Sequence, residues 1–335
     1  MTSTAAIPLA DPALADRLTA RLALVEEALR DTVAHADALA DDASRHLVNA
    51  GGKRLRPLLT LLVAELGDGA RREVVDAAVV VELTHLATLY HDDVMDSAPL
   101  RRGAPSAHEV WGNSVAILTG DLLFARASTT VAGLGPEAVR IQARTFERLC
   151  LGQLHETVGP REGDDPVAHY LQVLADKTAS LLATSARLGA MFAGCPPAVV
   201  STVTEFGERI GVAFQLADDV IDLTADGSLT GKTPGTDLRE RVPTMPVLLL
   251  RELCASPDAT DEDRAVLALL DGDLTDDAAL LTAVAALREH RVVALTRERA
   301  VALAMDAVRV LDPLPEGPVK SALVSFADAL VDRAS

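Results

Sequence analysis

Two short aspartate-rich motifs contain the residue types most suited to chemistry in this chain. The sequence is DDVMD at residues 92–96 and DDVID at residues 218–222, each near the end of a long apolar segment. On a helix, residues four apart share a face, so the first and last carboxylates of each motif would lie one turn apart. Mg²⁺ prefers such oxygen ligands and completes its octahedron with water and substrate phosphates. The motifs therefore predict magnesium ions that bind a diphosphate. The predicted ligands are Asp92, Asp96, Asp218 and Asp222.

A solvated helix end is the alternative for either motif taken alone, because the chain is acidic, with a formal net charge of -18. Two such motifs on apolar helices are harder to explain in that way. Buried carboxylates without a cation are costly, and two carboxylates on one helix face repel each other. We therefore expect both helices to face one cavity that holds the metal ions and the diphosphate.

Basic residues accompany the aspartates at two places in the sequence. The segment 51–57, with the sequence GGKRLRP, puts Lys53 and Arg56 at the start of a predicted helix. Glycine permits close backbone approach there, and the helix dipole favours anions. A basic helix start that only extends its charges into solvent is the alternative. Arg101 and Arg102 follow the first aspartate motif and are either salt-bridge partners of its carboxylates or bidentate ligands of the diphosphate.

Further polar residues share helix faces with the aspartates or follow them in the chain. His85 precedes Asp92 by two helical turns and is either a satisfied core histidine or a phosphate ligand. Gln215 precedes Asp218 by three residues and so shares its face. A glycine-rich loop after the second motif contains Lys232 and is predicted to close over the site as a lid. The remaining candidate substrate-binding residues are Lys177 and Thr178.

The elements that must position these residues are helices. Apolar residues recur at steps of three and four, and strand-period alternation of useful length is lacking. Asp11 with Pro12 forms a helix start, and Thr260 with Asp263 has the pattern of a capping box. We predict an all-α fold, a single-domain bundle of a dozen or so helices over residues 1–335. The longer predicted helices cover residues 55–66, 72–96, 106–131, 166–192 and 197–223.

Composition argues against several classes of function. The net charge of -18 and the sequence pI of about 4.8 disfavour nucleic acid and anionic membrane surfaces as partners. The three cysteines are far apart, so neither a zinc site nor a disulfide framework is predicted, and a reducing compartment fits. Residues 1–10 lack a signal-peptide pattern, and charges are expected to interrupt each apolar run before it reaches the length of a membrane span. We expect a soluble cytoplasmic protein.

Taken in order, these motifs resemble those of the trans-isoprenyl diphosphate synthases. The similarity covers about residues 51–250 and comprises GGKRLRP, HDDVMD, RRG, KT, FQLADDVID and a lysine loop. It implies a helical fold around a deep central cavity, usually in a homodimer, with about three magnesium ions bound to diphosphate. Those ions would be bound by Asp92, Asp96 and Asp218. The allylic diphosphate would be bound by Arg101, Lys177, Gln215 and Lys232. Isopentenyl diphosphate would be bound by Lys53, Arg56, His85 and Arg102.

The resemblance implies prenyl transfer, in which an allylic diphosphate ionises and isopentenyl diphosphate attacks the resulting cation. Three other functions fit the sequence less well. A class I terpene cyclase would carry an Asn/Asp-Ser-Glu second motif and an aromatic-rich cavity, whereas aromatic residues make up only 3% of this chain. A non-catalytic subunit would have lost one aspartate motif, and both are intact. A di-metal carboxylate bundle would need Glu-x-x-His ligands, which His155 and Glu156 do not supply.

The residues before Asp92 predict the length of the product. Shorter-chain members of the family tend to carry an aromatic residue there or two extra residues in the first motif, and this chain has neither. One helical turn rises about 5.4 Å, close to the reach of one isoprene unit, so small side chains would leave a tunnel open. We predict a long-chain all-trans polyprenyl diphosphate, which would partition into membranes. Geranylgeranyl diphosphate is the alternative if another helix supplies a floor. The residues concerned are Ala87, Thr88, Thr84 and Val81.

Overall fold

The structure, a computed structural model, describes residues 9–224 and 235–331. Within these ranges it has sixteen α-helices, one π-helical turn and one short hairpin, so the all-α prediction is confirmed. The helices are α1 (Pro12–Val33), α2 (Ala38–Asn49), α3 (Leu55–Ala64), α4 (Arg72–Met95), α5 (Ala107–Trp111), α6 (Asn113–Gly133), α7 (Pro136–Val158), α8 (Pro166–Leu174), α9 (Ser180–Phe192), α10 (Pro197–Thr224), α11 (Thr236–Arg239), α12 (Met245–Ala255), α13 (Asp261–Leu270), α14 (Asp277–Glu289), α15 (Arg291–Val310) and α16 (Pro318–Val331). The π-turn is Ala175–Ala179, and the antiparallel hairpin pairs β1 (Leu100–Arg101) with β2 (Ala104–Pro105).

Two helix starts follow from side-chain chemistry that the sequence predicted. The Asp11 carboxylate accepts a hydrogen bond from the Leu14 amide at 2.8 Å, and Pro12 is the first residue of α1. The Thr260 hydroxyl oxygen accepts from the Asp263 amide at 3.1 Å. In return, the Asp263 carboxylate accepts from the Thr260 amide at 2.7 Å, which completes the predicted capping box of α13.

Other helix boundaries were predicted wrongly. The helix expected at 106–131 is divided into α5 and α6 at Gly112, whose φ of +81° is one that residues with side chains rarely adopt. The helix expected at 166–192 is interrupted by the π-turn. Helix α2 was missed because its apolar residues form only a narrow buried face, at Ala43, Leu47 and Val48.

The described helices form two compact units. The first contains residues 9–149, 180–207 and 310–326, and the second contains the described parts of residues 150–179, 208–309 and 327–331. The interpretation of residues 1–335 as a single domain stays a prediction.

Helix α4 forms the core of the first unit. Val79, Val80 and Val81 are all buried, as expected for a helix that is apolar on every side. It packs against α3, α6 and α9. A Cβ at Gly189 on α9 would lie 2.3 Å from the carbonyl oxygen of Thr60 on α3, so these two helices approach closely because that residue has no side chain. The first aspartate motif is therefore carried by a tightly packed helix.

The π-turn of the second unit is accommodated by glycines on two other helices. A Cβ at Gly211 on α10 would lie 2.4 Å from Ala179 Cα. A Cβ at Gly152 on α7 would lie 2.6 Å from the amide nitrogen of Lys177. The missing side chains leave room for the wider backbone of the π-turn, a feature that is frequent at functional sites. This turn contains Lys177 and Thr178.

Helices α4 and α6 are long and apolar enough to cross a membrane by length and composition. The expectation that charges interrupt every apolar run was therefore wrong, because each of these helices has an 18-residue window with at most two charged residues. In α4, 72% of that window is buried inside the protein, as in the core helix of a globular unit, whereas the value for α6 is 39%.

Candidate active site

The first aspartate motif occupies the end of α4. The Asp96 amide donates to the Asp92 carbonyl oxygen at 2.8 Å, so the two residues lie one helical turn apart, as their spacing predicted. Asp92 is half-buried and Asp96 is exposed, whereas Asp93 between them is 0% exposed. The outer two carboxylates are therefore the ones accessible to a metal ion from solvent.

Asp93 has a role that the sequence analysis did not assign. Its Oδ1 accepts from Arg101 Nε at 2.6 Å and pairs with Arg101 Nη2 at 2.5 Å. Burial raises the pKa of the Asp93 carboxyl, and the Arg101 guanidinium opposes that rise. Of the two sequence interpretations of Arg101, the salt bridge is present, and phosphate binding stays a prediction. The ion pair attaches the hairpin to the end of α4.

Arg102 lies over the glycine pair that precedes α3. Its Nη1 donates to the carbonyl oxygen of Leu47 at 3.2 Å and to that of Gly51. A Cβ at Gly52 would lie 2.6 Å from Arg102 Cζ, and the Gly52 φ of +139° also favours glycine. The two glycines therefore make space for this guanidinium beside the start of α3.

Arg56 and His85 lie near enough to Arg102 for their charges to interact. Burial lowers the pKa of Arg56 to about 10, and the positive charge of Arg102 acts in the same direction. Burial also lowers the pKa of His85 well below its usual value, and the Arg56, Arg102 and Arg101 guanidiniums lower it further. Arg56 Nε is buried and lacks a hydrogen-bond partner within the described residues. This concentration of positive charge suits an anion with several negative charges.

Arg54, which the sequence analysis did not select, has a structural role beside these residues. It is buried, and it pairs with Glu26 at 2.5 Å and with Glu82 at 2.8 Å. Its Nη2 also donates to the Val48 carbonyl oxygen at 3.1 Å. The two glutamates lie 28 residues away on either side in sequence, so no local pattern could have distinguished Arg54 from its neighbours. Lys53 is exposed at the start of the same segment.

The second aspartate motif lies near the end of α10. Asp218 and Asp222 are both half-buried and four residues apart on this helix, as predicted. One turn before the motif, Gln215 Oε1 accepts from the Thr178 hydroxyl at 3.3 Å. The second unit therefore brings Gln215, predicted to bind the allylic diphosphate, together with Thr178, predicted to bind substrate.

Lys177 interacts with a residue whose role the sequence analysis missed. Its Nζ forms an ion pair with the Glu156 carboxylate on α7. The sequence suggested Glu156 only as part of a di-metal pattern, which lacks its histidine spacing. The pairing depends on the π-turn and on its close approach to α7 at Gly152. The periodicity of apolar residues in the sequence predicts neither of these features. Lys232, the remaining predicted ligand, lies outside the described residues.

Asp219, the middle residue of the second motif, is only 4% exposed. The Tyr170 hydroxyl lies 2.9 Å from its Oδ1 and 2.7 Å from its Oδ2, and Oδ2 also accepts from the Met245 amide at 3.1 Å. Burial raises the pKa of Asp219 well above its usual range, and the two hydrogen-bond donors oppose that rise. Tyr170 is on α8 and Met245 begins α12, so one carboxylate links three helices.

The residues predicted to control product length lie in the interior of α4. Ala87, Thr84 and Val81 are buried, and Thr88 is half-buried. Each threonine hydroxyl donates to a carbonyl oxygen of α4 itself, at 2.8 Å. Val81 belongs to a buried apolar cluster of the first unit. Its other members are Ala77, Val80, Val131, Ala138, Ile141, Leu149, Leu181 and Leu188.

The donor chemistry of both motifs fits magnesium, because each offers two carboxylates one turn apart as hard oxygen ligands. Among the described residues, no group of three His, Cys, Asp or Glu side chains forms a ready metal site. A magnesium ion bound by either motif would therefore need water and substrate oxygens to complete its coordination, which is the usual arrangement for this ion.

Comparison with known proteins adds an independent line of evidence. Residues 37–287 match the family model described as polyprenyl synthetase. The chain is 44% identical to nonaprenyl diphosphate synthase of Mycobacterium tuberculosis over 334 residues, which cover 99% of this chain and 98% of that protein. Geranylgeranyl pyrophosphate synthase from Corynebacterium glutamicum, solved with calcium and isoprenyl diphosphate, has a TM-score of 0.85 and 40% identity, covering 97% of this chain and 99% of that one. Polyprenyl synthase from Caulobacter crescentus, also with calcium and isoprenyl diphosphate, has a TM-score of 0.85 and 32% identity, covering 96% and 97%.

The lowered pKa of His85 predicts a pH-dependent contribution to stability. The folded state keeps His85 neutral, while the unfolded chain binds a proton near the usual pKa of about 6.5, so the unfolded state binds more protons below that pH. This group should therefore lower the free energy of unfolding by up to about 1.4 kcal/mol per pH unit as the pH falls below about 6. In His85→Gln that part of the pH dependence should disappear from denaturant titrations between about pH 5 and pH 8. His155→Gln makes the same exchange on an exposed side chain and is the control; parallel profiles for His85→Gln and the unmodified protein would contradict a neutral His85.

Proposed function

This chain belongs to the polyprenyl synthetase family and is a trans-prenyltransferase, and we propose that it condenses isopentenyl diphosphate with an allylic diphosphate to make a long-chain all-trans polyprenyl diphosphate. The observation that carries the proposal is the pair of aspartate motifs, each near the end of a helix with a buried apolar face and beside side chains suited to binding an anion. In the first unit these side chains are Arg56, His85 and Arg102. In the second unit they are Thr178 and Gln215.

The outer carboxylates of both motifs are proposed to hold about three magnesium ions together with the diphosphate. When bound, the metal would supply positive charge that stabilises the departing diphosphate. Calcium in the two solved relatives supports divalent metal binding by the same kind of protein. The proposed ligands are Asp92, Asp96, Asp218 and Asp222.

Two groups of basic and polar residues are proposed to bind the two substrates. In the first unit, burial lowers the pKa of His85 and the charges of four arginines lower it further, so a neutral imidazole could accept a proton or donate a hydrogen bond to bound phosphate oxygens. The proposed ligands of isopentenyl diphosphate are Lys53, Arg56, His85 and Arg102. The proposed ligands of the allylic diphosphate are Arg101, Lys177, Gln215 and Lys232, and Thr178 is proposed as a further substrate-binding residue.

The reaction needs a charged region for the diphosphates and a dry region for the carbon chain. The allylic carbon–oxygen bond breaks and leaves its electron pair on the diphosphate. The isopentenyl double bond forms the new carbon–carbon bond, and the proton lost to restore a double bond passes to the released diphosphate. Positioned donors stabilise the developing charge, and aliphatic side chains such as those of α4 exclude water from the cation.

A long-chain product is supported by the name of the 44% identical relative, a nonaprenyl diphosphate synthase, and by the small side chains of Ala87, Thr84 and Val81. A geranylgeranyl product is the second candidate. Val81 lies about 16 Å along α4 from Asp92 and is packed in the buried apolar cluster. If that cluster does not open, it would stop the growing chain after a few isoprene units.

We also propose a homodimer that forms through α6. This helix is apolar, yet its surface is largely uncovered, with Ile117 42% and Leu118 66% exposed and Val110 on neighbouring α5 48% exposed. Leu118→Lys should shift sedimentation velocity from dimer to monomer without loss of helix content, because a charge would be buried in the interface. Leu24→Lys, at a 49% exposed leucine on α1, is the control. A monomeric unmodified protein at micromolar concentration would contradict the proposal.

A cytoplasmic location is proposed as well. All three cysteines are free, as expected for a protein from a reducing compartment. The long-chain product would leave this compartment by partitioning into a membrane.

The metal-binding proposal predicts large effects of two substitutions. Asp92→Ala and Asp218→Ala should each lower turnover by at least about 10³-fold, because each removes stabilisation that is needed mainly as charge develops. Circular dichroism and the unfolding midpoint should stay close to those of the unmodified protein, since both residues are only half-buried. Asp16→Ala, at an exposed aspartate of α1, should leave turnover unchanged. Near-normal turnover of either motif variant would argue against a metal-binding role for that motif.

The product-length proposal predicts the outcome of incubating the protein with isopentenyl diphosphate and an allylic primer. Chromatographic sizing should give a product longer than four isoprene units, because about 5.4 Å of open tunnel per helical turn admits roughly one further unit beyond the primer. Ala87→Phe should shorten it, because the ring would fill the tunnel about 7 Å from Asp92 without touching the diphosphate sites. Ala87→Val adds less volume and should shorten the product less. A natural product of four units would favour the geranylgeranyl candidate, and an unchanged length in Ala87→Phe would place the floor elsewhere.

A further inference from the structure

The second unit contains a buried hydrogen-bonded pair, Tyr170 and Asp219, that no predicted metal or substrate role uses. We propose that this pair positions Lys177 and Thr178 relative to Asp218, and that Asp219 is not itself a magnesium ligand. The inference rests on the proposed function, since it concerns residues of the same site.

The burial and the hydrogen bonds of Asp219 make its oxygens poorly accessible to a metal ion. The Tyr170 hydroxyl is within hydrogen-bond distance of both Oδ1 and Oδ2, and the Met245 amide donates to Oδ2 at 3.1 Å. The side chain is almost fully buried. A carboxylate has about four lone-pair sites, so these two donors alone would not exclude Mg²⁺. The burial of the side chain argues against it, because this ion usually keeps several bound waters and a buried carboxylate leaves little room for them. Asp218 and Asp222, in contrast, are half-buried.

The contact with Tyr170 controls the segment that carries Lys177 and Thr178. Tyr170 is on α8, which continues directly into the π-turn that contains both residues. The Thr178 hydroxyl makes a second contact, with Gln215 Oε1 on α10. The segment is thus attached to α10 at two points, residues 170 and 178, and Lys177 lies between them in sequence. Two attachments fix the direction of a segment as well as its position, whereas a single attachment would allow it to rotate.

Attachment at two points matters because the π-turn is not held by regular α-helical hydrogen bonding alone. The backbone of the turn packs directly against Gly152 on α7 and Gly211 on α10, and the two side-chain attachments add to that packing. Loss of the Tyr170 hydroxyl would remove one of the two attachments to α10 described above, while the contact of Thr178 with Gln215 would remain. Small displacements of a binding group are sufficient to reduce catalysis.

Two conservative variants test the pair. Tyr170→Phe removes the hydroxyl and keeps the ring, while Asp219→Asn keeps the shape of the side chain and removes its charge. Each should raise the KM for the allylic diphosphate about tenfold, as expected when a hydrogen bond to a charged group is lost. The KM for isopentenyl diphosphate should change less than about twofold by the same scale. The double variant should resemble the single variants, because Tyr170→Phe removes the shared interaction and Asp219→Asn weakens it.

A second readout needs no turnover. Mg²⁺ with inorganic diphosphate should raise the Tm of the unmodified protein, and this rise should be smaller in Tyr170→Phe and in Asp219→Asn by similar amounts. Thr296→Val is the control, since it removes another fully buried hydroxyl of the second unit, one that donates to a carbonyl oxygen of its own helix at 2.8 Å. It should leave both the KM ratio and the ligand-induced rise in Tm unchanged. Asp219→Asn keeps an oxygen that can accept from Tyr170, so it serves as the test if Tyr170→Phe does not fold.

Two results would overturn the inference. In one, Asp219→Asn abolishes the ligand-induced rise in Tm as Asp218→Asn does, while Tyr170→Phe leaves it intact; Asp219 would then be a metal ligand. In the other, Tyr170→Phe behaves as Thr296→Val does, which would reduce the pair to a purely structural contact. A protein without prenyl transfer activity would refute the proposed function alone, because the Tm measurement with Mg²⁺ and inorganic diphosphate would still decide the role of the pair.

Discussion

The need to hold charge inside an apolar helical framework determines much of the rest of the structure. A buried charge is costly unless it is paired or hydrogen-bonded, and removal of one partner leaves the other unpaired. The first unit meets this requirement by enclosing Arg54 between Glu26 and Glu82 and by pairing Arg101 with Asp93. Arg54 and Arg101 are thus neutralised by carboxylates of the protein. Arg56 Nε, in contrast, has no hydrogen-bond partner within the described residues.

The middle aspartates of the two motifs show how one sequence pattern serves two local structures. Asp93 accepts from a guanidinium and attaches a hairpin, whereas Asp219 accepts from a tyrosine hydroxyl and a backbone amide and links three helices. In both cases the buried position is the second of the motif, and the flanking carboxylates are more accessible. The spacing of four between the outer residues places them on one helix face, and the burial of the residue between them depends on what packs beside the helix.

Close backbone contact is the second physical condition at these sites. Gly52 makes space for the guanidinium of Arg102, and Gly152 and Gly211 make space for the π-turn that carries Lys177. A side chain at Gly52 would collide with the Arg102 guanidinium, and side chains at Gly152 and Gly211 would collide with the backbone of the π-turn. The absence of a side chain at these glycines is therefore what allows the close approach.

Local sequence patterns determined the helical class, most of the long helices, the capping box of α13 and the two aspartate motifs. They were sufficient because helix periodicity and capping depend on residues three or four apart. Ordered motifs also identified Lys53, Arg56, Lys177 and Gln215 as candidates, and spacing identified His85, which precedes Asp92 by two helical turns.

The tertiary structure alone decided the partners of these residues. It paired Arg54 with carboxylates 28 residues away, placed Glu156 against Lys177, and buried Asp219 under Tyr170. It also broke the helix expected at 166–192, since a π-turn forms there beside two glycines on other helices. Such contacts join residues that are distant in sequence, and their energies depend on burial and on the approach of separate helices. A pattern with a period of a few residues carries information about neither.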